Sequence, residues 1–273
     1  MIVKLSVWSS YYANLSPEDA IKTLTDHGFR YCELSDEHSL ILMNRGDPTV
    51  VGKIFGDYAK ELGIQILQGH LTLKAKICCP EERKMLLRQL DLFHAIGIQS
   101  AVLHCDSLLE YPEMSLEEKR QQNILALREL LAHIEDTDMV ICLENMRDKS
   151  ITKSAEDLLY FIDCLSSKNL GICLDTGHLN LSENPDQIHF IRTVGKYIKA
   201  LHIADNDGTA DQHILPFARG KVDVQTVIRE LKALDYAGLY NLEIPGESRC
   251  AMEIRSIKLD YIQKVFARLD RMC

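Results

Sequence analysis

The sequence predicts an α/β protein folded as a single (β/α)8 barrel, with residues 1–273 in one domain. Short apolar segments alternate with longer amphipathic ones along the chain, giving eight strands and eight helices in strict order. The polar residues that end the apolar segments recur every 25 to 41 residues, close to the ~31 residues per unit of a ~250-residue barrel. No Pro-, Ser- or Gly-rich linker breaks the series, which favours one domain over two.

The strand segments are continuously apolar, which is typical of parallel strands covered on both faces. They are Val3–Trp8, Tyr31–Leu34, Ile64–Gln68, Ala101–His104, Val140–Leu143, Gly171–Leu174, Ile198–Ile203 and Tyr240–Ile244. A doubly wound open sheet is the alternative, but that fold usually carries a glycine-rich turn after its first strand. Here the turn reads Ser9-Ser10-Tyr11-Tyr12, so the barrel is favoured.

The helices have recognisable starts and ends. Ser16-Pro17-Glu18-Asp19 combines an N-cap, proline at the first helical position and acidic residues in the first turn. Ser115 to Glu118 forms a capping box before a long helix that we expect to end near Glu135. Gly28, Gly63 and Gly97 each follow a helical segment, where a left-handed cap is common.

Composition excludes several classes of protein. Lys and Arg number 31 against 40 Asp and Glu, a net charge of −9, which disfavours non-specific binding to nucleic acid or membranes. No apolar run approaches the ~18 residues of a membrane span, and the start reads as a strand rather than a signal peptide. The nine cysteines include no CxxC pair, so we expect a cytoplasmic protein with free thiols.

Potential metal ligands stand at or after nearly every strand end from the third to the eighth. They are His70, His104, Glu144, Asp175, His178, His202, Asp211, His213 and Glu243. A single one of these would more often be a solvated residue, Asp175 to Gly177 alone would suit an ordinary turn, and His202 alone would suit a core histidine.

Convergence changes this interpretation, because barrel strands direct the residues at their C-terminal ends toward one axis. Several carboxylates buried together without a cation would have raised pKa values and would cost stability. Imidazoles mixed with carboxylates suit Zn²⁺, Mn²⁺, Fe²⁺ or Co²⁺ better than Mg²⁺ or Ca²⁺. The sequence therefore predicts a divalent metal site, Zn²⁺ or Mn²⁺ above all, with one to three ions.

These strand ends resemble the xylose isomerase-like TIM barrel superfamily, which includes sugar phosphate isomerases and epimerases and the endonuclease IV apurinic-site nucleases. The most specific segments are GICLDTGH at 171–178, HIADNDGTADQH at 202–213 and LEIPG at 242–246. The resemblance implies that one ion of a sugar-acting enzyme would be held by Glu144, Asp175, His202 and Glu243. The three zinc ions of a nuclease would be held by those four with His70, His104, His178, Asp211 and His213.

For a sugar-acting enzyme, the resemblance implies isomerisation or epimerisation through a metal-stabilised enediolate. Glu144 and Glu243 would move the proton, as in ketose 3-epimerases. His178 would steady a substrate oxygen or a second metal. Glu33 would bind hydroxyls or be a surface carboxylate, and Trp8 would stack on the sugar or fill the core. The same chemistry also supports a lyase.

Apurinic-site phosphodiester cleavage by a trinuclear zinc site is the alternative. It is favoured because this chain has a matching residue type at all nine ligand positions. A non-enzymatic barrel would be expected to have lost some of these ligands. The segment DNDGTADQHILPFARG at 205–220 resembles the uncharacterised sugar-isomerase-like branch instead. Ala218-Arg219-Gly220 stands where that branch usually has Gly-Glu-Gly. Arg219 would then be either an anion contact or a solvated residue. Leu71 to Lys74 stand where the nucleases have an aromatic wedge.

Cationic residues in the predicted strand-end loops are few for a nucleic-acid duplex, which needs many phosphate contacts. They are Arg45, Lys74, Lys76, Arg147, Lys149, Arg219, Lys221 and Arg249. This number suits a small anion. We therefore expect a sugar or sugar-phosphate substrate and no membrane partner. Nucleic acid is disfavoured but stays the partner of the nuclease alternative, and a homo-oligomer is compatible with the sequence.

Overall fold

Eight parallel strands, each hydrogen-bonded to the next in the chain, close into a barrel where the last pairs with the first. The computed structural model describes residues 3–147, 149–247 and 249–272. The strands are β1 (Leu5–Trp8), β2 (Tyr31–Leu34), β3 (Gln65–His70), β4 (Ser100–Leu103), β5 (Val140–Glu144), β6 (Leu170–Asp175), β7 (Ile198–Ile203) and β8 (Tyr240–Leu242). The predicted (β/α)8 barrel is confirmed.

Small shifts at the strand ends bear directly on the site. β3, β5 and β6 continue one or two residues beyond the predicted segments, so that they end on His70, Glu144 and Asp175. β4 and β8 end one residue before His104 and Glu243. Because all strands run in parallel, these five side chains leave the barrel at the same end.

The helices surround the barrel. They are α1 (Pro17–Asp26), α2 (Asp36–Met43), α3 (Pro48–Leu62), α4 (Pro80–Ile96), α5 (Leu116–His133), α6 (Ala155–Leu165), α7 (Thr176–Asn180), α8 (Gln187–Val194), α9 (Val224–Ala233) and α10 (Met252–Met272). Short 3-10 turns cover Ser9–Tyr12 and Gly195–Tyr197.

The prediction of one helix per strand was wrong in two units of the barrel. Two helices follow β2, because Asp47 caps a new helix that starts at Pro48. Two also follow β6, where the Asp175 and Asp186 side chains cap α7 and α8. His38 lies in α2 and is buried.

The predicted helix caps are confirmed. The Ser16 side chain accepts from the Asp19 amide at the start of α1, and Ser115 and Glu118 form both hydrogen bonds of a capping box. α5 ends at His133, two residues before the predicted end. Gly63 and Gly97 follow α3 and α4 with φ of +75° and +98°, a conformation that glycine adopts at little cost.

The core lies mainly between strands and helices, and a small separate cluster contains Val102, Cys142, Cys173 and Ala200. The eight cysteines within the described ranges are all free. None of the helices in those ranges is long and apolar enough to cross a membrane.

Candidate metal centre

The structure brings the nine predicted ligand residues together at the C-terminal end of the barrel. Three groups of ligand atoms together include all nine residues, and within each group the atoms lie within 4.8 Å of one another. These groups are His70, His104 and Glu144; Glu144, Asp175, His202 and Glu243; and His178, Asp211 and His213. Glu144 belongs to the first two and connects them, and His70 also lies in a group with His202 and Glu243.

Glu144 is surrounded by four imidazoles that come from β3, β7 and the segments directly after β4 and β6. Its Oε2 atom lies 3.0 Å from His104 Nε2 and 3.4 Å from His70 Nε2. Its Oε1 atom lies 3.2 Å from His178 Nδ1 and 3.4 Å from His202 Nδ1. Both carboxylate oxygens therefore have nitrogen neighbours, and the side chain is 1 % exposed.

The second group centres on His202. Its Nδ1 atom lies 3.3 Å from Glu243 Oε2 but makes no hydrogen bond within the described residues. Asp175 is fixed through its backbone and its side chain. Its backbone amide donates to the Asn145 side chain and its carbonyl accepts from it. The Oδ1 atom accepts from the His178 amide at 2.6 Å. The other oxygen, Oδ2, is buried and has no hydrogen-bond partner among the described residues.

The third group lies toward solvent, where the loop after β7 returns over the barrel. Asp211 bridges two imidazoles, with Oδ2 3.2 Å from His178 Nε2 and Oδ1 3.1 Å from His213 Nε2. Arg147 approaches from the loop after β5, with its Nε 3.5 Å from Asp211 Oδ2.

Four of the imidazoles are fixed through one of their ring nitrogens. The partner is a backbone carbonyl in three cases and the Glu33 carboxylate in the fourth. The pairs are His70 Nδ1 with Leu71 O at 2.6 Å, His178 Nδ1 with Asn145 O at 3.1 Å, His213 Nδ1 with Glu243 O at 2.8 Å and His202 Nε2 with Glu33 Oε1 at 3.0 Å. Such contacts set the tautomer and direct the other nitrogen to a metal. In all four rings that other nitrogen faces a carboxylate of the centre.

The pKa shifts favour protons on imidazoles such as His202 beside an ionised Glu144. Burial would lower the pKa of His202, but the surrounding thiol and carboxylates hold it well above its ordinary value. Burial would raise the pKa of Glu144, but the facing His202 and His104 rings hold it well below its usual range. Burial raises the pKa of Glu243 to about 7, against the opposing effect of His202. A divalent cation would supply the same positive charge in place of these protons.

The donor set fits a divalent metal on two independent observations. Asp175 Oδ2 and His202 Nδ1 are buried atoms without hydrogen-bond partners among the described residues, and such atoms are costly unless something binds them. Both residues also belong to one of the ligand groups. Mixed imidazole and carboxylate donors suit Zn²⁺ or Mn²⁺.

An open cavity of about 440 Å³, here called the central cavity, lies over these residues. Its walls include His104, Glu144, His178, Glu243 and Trp8. The Trp8 indole nitrogen donates to the Ile244 carbonyl at 2.8 Å, which holds the ring at the wall. A cavity of this size suits a small-molecule ligand.

Two predicted substrate residues are placed away from this cavity's lining. Glu33 is fully buried, with one oxygen on His202 and the other accepting from the Asn241 side chain. It is neither a surface carboxylate nor a wall residue, so we assign it to holding His202. Arg219 is exposed and lines a neighbouring cavity with Tyr11 and Lys258.

The sequence analysis missed two residues that organise the site. Asn145 connects the ends of β5 and β6 through its side chain and orients His178 through its carbonyl. In the sequence, its position directly after Glu144 could have indicated this role. Cys173 approaches Glu144 and His202 closely enough to be a third donor, although its spacing matches no thiolate motif.

Comparisons with known proteins identify the family of this chain. The model of the family described as "Xylose isomerase-like TIM barrel" matches residues 21–267. An uncharacterised protein of Methanocaldococcus jannaschii is 30% identical over 60% of this chain and 56% of its own length. A D-psicose 3-epimerase of Enterocloster bolteae is 25% identical over 68% of this chain and 64% of its own. A probable endonuclease 4 of Ureaplasma parvum is 34% identical over 45% and 44%.

Solved structures share the fold over the whole chain. A D-tagatose 3-epimerase-like protein superposes with a TM-score of 0.80 at 21% identity, covering 99% of both chains. A D-psicose 3-epimerase of Clostridium cellulolyticum H10 has a TM-score of 0.80 at 17% identity, covering 97% of this chain and 98% of its own. The alignments with the first sequence relatives span under two thirds of those proteins' lengths. On the family match, this chain belongs to the xylose isomerase-like TIM barrel family.

Proposed function

We propose that this protein is a divalent-metal-dependent isomerase or epimerase of a small sugar or sugar phosphate. The observation that carries the proposal is the position of Glu144 and Glu243. Both carboxylates lie within 3.4 Å of His202 Nδ1 and both line the central cavity. A substrate carbon above them would have a carboxylate within reach for proton removal and another for proton return.

In this proposal Glu144, Asp175, His202 and Glu243 hold one divalent ion. When bound, the ion acts as a Lewis acid that stabilises negative charge on the substrate's carbonyl and adjacent hydroxyl oxygens. Glu243, whose pKa near 7 belongs to the metal-free protein, and Glu144 take and return the proton next to the carbonyl. The intermediate is an enediolate. A proton returned to the same carbon from its opposite face gives the epimer, and a proton returned to the former carbonyl carbon gives the isomer.

The remaining residues would orient the sugar. Trp8 presents its ring at the cavity wall, where an aromatic face suits the apolar C–H surface of a sugar. His178 lines the same cavity beside Glu144 and would contact a substrate oxygen or hold a further ion. The family's epimerase members, with names that refer to D-psicose and L-ribulose, are compatible with this substrate class.

A second candidate is phosphodiester cleavage at an abasic site. The specific observation in its favour is the division of the nine residues into three ligand groups, two of which share Glu144. Three ions would stabilise an attacking hydroxide and a leaving oxygen. The partial match to probable endonuclease 4 proteins supports this candidate.

Elemental analysis of the purified protein, combined with two activity assays, separates the candidates. We expect deuterium from D₂O to enter a ketose at the carbon next to its carbonyl, without nicking of an abasic duplex. Three tightly bound zinc ions with efficient nicking and no exchange would contradict the sugar proposal and support the nuclease.

A further inference from the structure

A second cavity, here called the side cavity, adjoins the central cavity. It has a volume of about 480 Å³ and lies between the loops that follow β3, β4 and β5. The two cavities share Leu73, His104, Met146 and Arg147 as wall residues. A ligand with two parts could therefore occupy both, with its reacting part over Glu144.

The side cavity is cationic in a protein that is acidic overall. Lys74, Lys76, Arg147 and Lys149 line it, whereas the whole chain has a net charge of −9. Positive charge gathered in one cleft focuses the local potential and attracts anions.

The two acidic residues among the described residues of the wall make other contacts. The Asp106 carboxylate accepts from the Ile77 amide at 2.7 Å and from the Cys78 amide at 3.2 Å. Glu110 pairs with Lys76 at 2.8 Å. Neither carboxylate forms an ion pair with Lys74, Arg147 or Lys149.

Lys74 and Lys149 are exposed and form no ion pair with any residue in the described ranges. Lys149 has a φ of +68°, which is uncommon for a residue with a side chain. Its carbonyl accepts from the Leu108 amide at 2.7 Å, so the loop after β5 is tied to the loop after β4 in this conformation. Such backbone strain is concentrated at functional sites.

We propose that the side cavity binds the phosphate group of a phosphorylated ketose through Lys74, Lys149 and Arg147. The carbonyl end of the same molecule would lie in the central cavity over Glu144 and Glu243. This inference rests on the proposed function and narrows it from sugars in general to sugar phosphates. Arg147 contacts Asp211 through its Nε atom, and the rest of its guanidinium would contact the phosphate. The ammonium groups of Lys74 and Lys149 supply the remaining positive charge that a phosphate dianion requires.

The test compares two double variants of the metal-loaded protein that have equal charge. Lys74→Gln with Lys149→Gln removes the two unpaired cations of the side cavity. The control, Lys168→Gln with Lys264→Gln, removes two exposed lysines elsewhere, one in the α6–β6 connection at the opposite end of the barrel and one on α10. Circular dichroism and the melting temperature establish that all the proteins are folded.

Binding of inorganic phosphate is measured by isothermal titration calorimetry at constant ionic strength. We expect the Kd for phosphate to rise about tenfold in the side-cavity variant, since charge-assisted hydrogen bonds are lost. The control should change by less than about twofold. Unchanged phosphate affinity in the side-cavity variant would overturn the proposal, because phosphate would then be held by the metal centre alone.

Kinetics on matched ketoses provide the second measurement. With D-ribulose and D-fructose and their terminal phosphates as probes, the side-cavity variant should raise KM for the phosphates only. If no ketose exchanges deuterium while the phosphate result holds, the proposed function fails and the anion site remains supported. A loss of affinity confined to an abasic duplex would assign the lysines to a nucleic-acid backbone and overturn the proposal.

Discussion

The Nε2 atom of His202 lies 3.0 Å from Oε1 of Glu33, and both side chains are fully buried. The contact continues inward, because Asn241 donates to the other Glu33 oxygen and Ser6 donates to Asn241 at 2.7 Å. This chain holds the His202 ring so that Nδ1 faces Glu144 and Glu243. A ligand ring fixed from behind in this way is a common property of metal sites.

Glu33→Ala should weaken metal binding, because His202 would lose the acceptor that sets its tautomer and orientation. We expect a loss of about 10- to 100-fold in affinity, and a smaller loss in Glu33→Gln, which keeps an acceptor oxygen. Competition with a chromophoric chelator measures the affinity. Glu61→Gln, an exposed position at the end of α3, is the control; equal affinities in all four proteins would contradict the assigned role of Glu33.

Removal of the metal should destabilise the protein, since the clustered carboxylates would lose their counter-charge. Metal at about 1,000 times its Kd stabilises a fold by about 4 kcal/mol, equivalent to about 8 °C or more in a large domain. Differential scanning calorimetry before and after chelation measures the shift, and adding Zn²⁺ or Mn²⁺ back should restore it. An identical Tm in chelated, reloaded and untreated protein would be inconsistent with a metal centre.

His38 should make the folded protein sensitive to mild acid. Its Nε2 lies 3.2 Å from the Leu15 carbonyl and its Nδ1 lies 2.8 Å from the Ser9 hydroxyl. Burial lowers the pKa of His38, although the carbonyl contact and the nearby Glu37 and Glu18 charges oppose this effect. The unfolded chain therefore takes up a proton at a higher pH than the folded chain does, and stability falls as the pH drops below about 6.5.

The loss attributable to His38 should approach about 1.4 kcal/mol per pH unit below that point and level off at the folded pKa. His38→Gln should be less stable near neutral pH but lose less stability on acidification. Urea unfolding of the metal-loaded proteins at a series of pH values measures the difference. Parallel stability curves for the two proteins would contradict this prediction, because they would show that the pKa of His38 is the same in the folded and unfolded states.

The fold and the meeting of the nine candidate ligands at one end of the barrel could be predicted from sequence for a simple physical reason. Parallel strands covered on both faces are continuously apolar, so a polar residue such as His70 or Glu144 marks the end of most of them. The second helix after β2 was missed, although Asp47-Pro48 is a recognisable start.

Other parts of the site depend on contacts that local patterns do not contain. Glu33 and His202 are 169 residues apart, and only the closed barrel brings them together. Lys74 and Lys149 were recognised as loop cations, but their grouping depends on how the loops after β3 and β5 fold. The role of Asn145 likewise depends on the pairing of β5 with β6.

Deuterium exchange in D₂O tests the central claim most directly. Metal-loaded wild-type protein should introduce solvent deuterium next to the carbonyl of at least one ketose or ketose phosphate, detected by NMR. Glu144→Gln and Glu243→Gln should each reduce the rate by about 10²- to 10⁴-fold, with metal content measured alongside, while the exposed Glu183→Gln should not. Exchange absent from every ketose, or unchanged in both carboxylate variants, would contradict proton transfer by this pair.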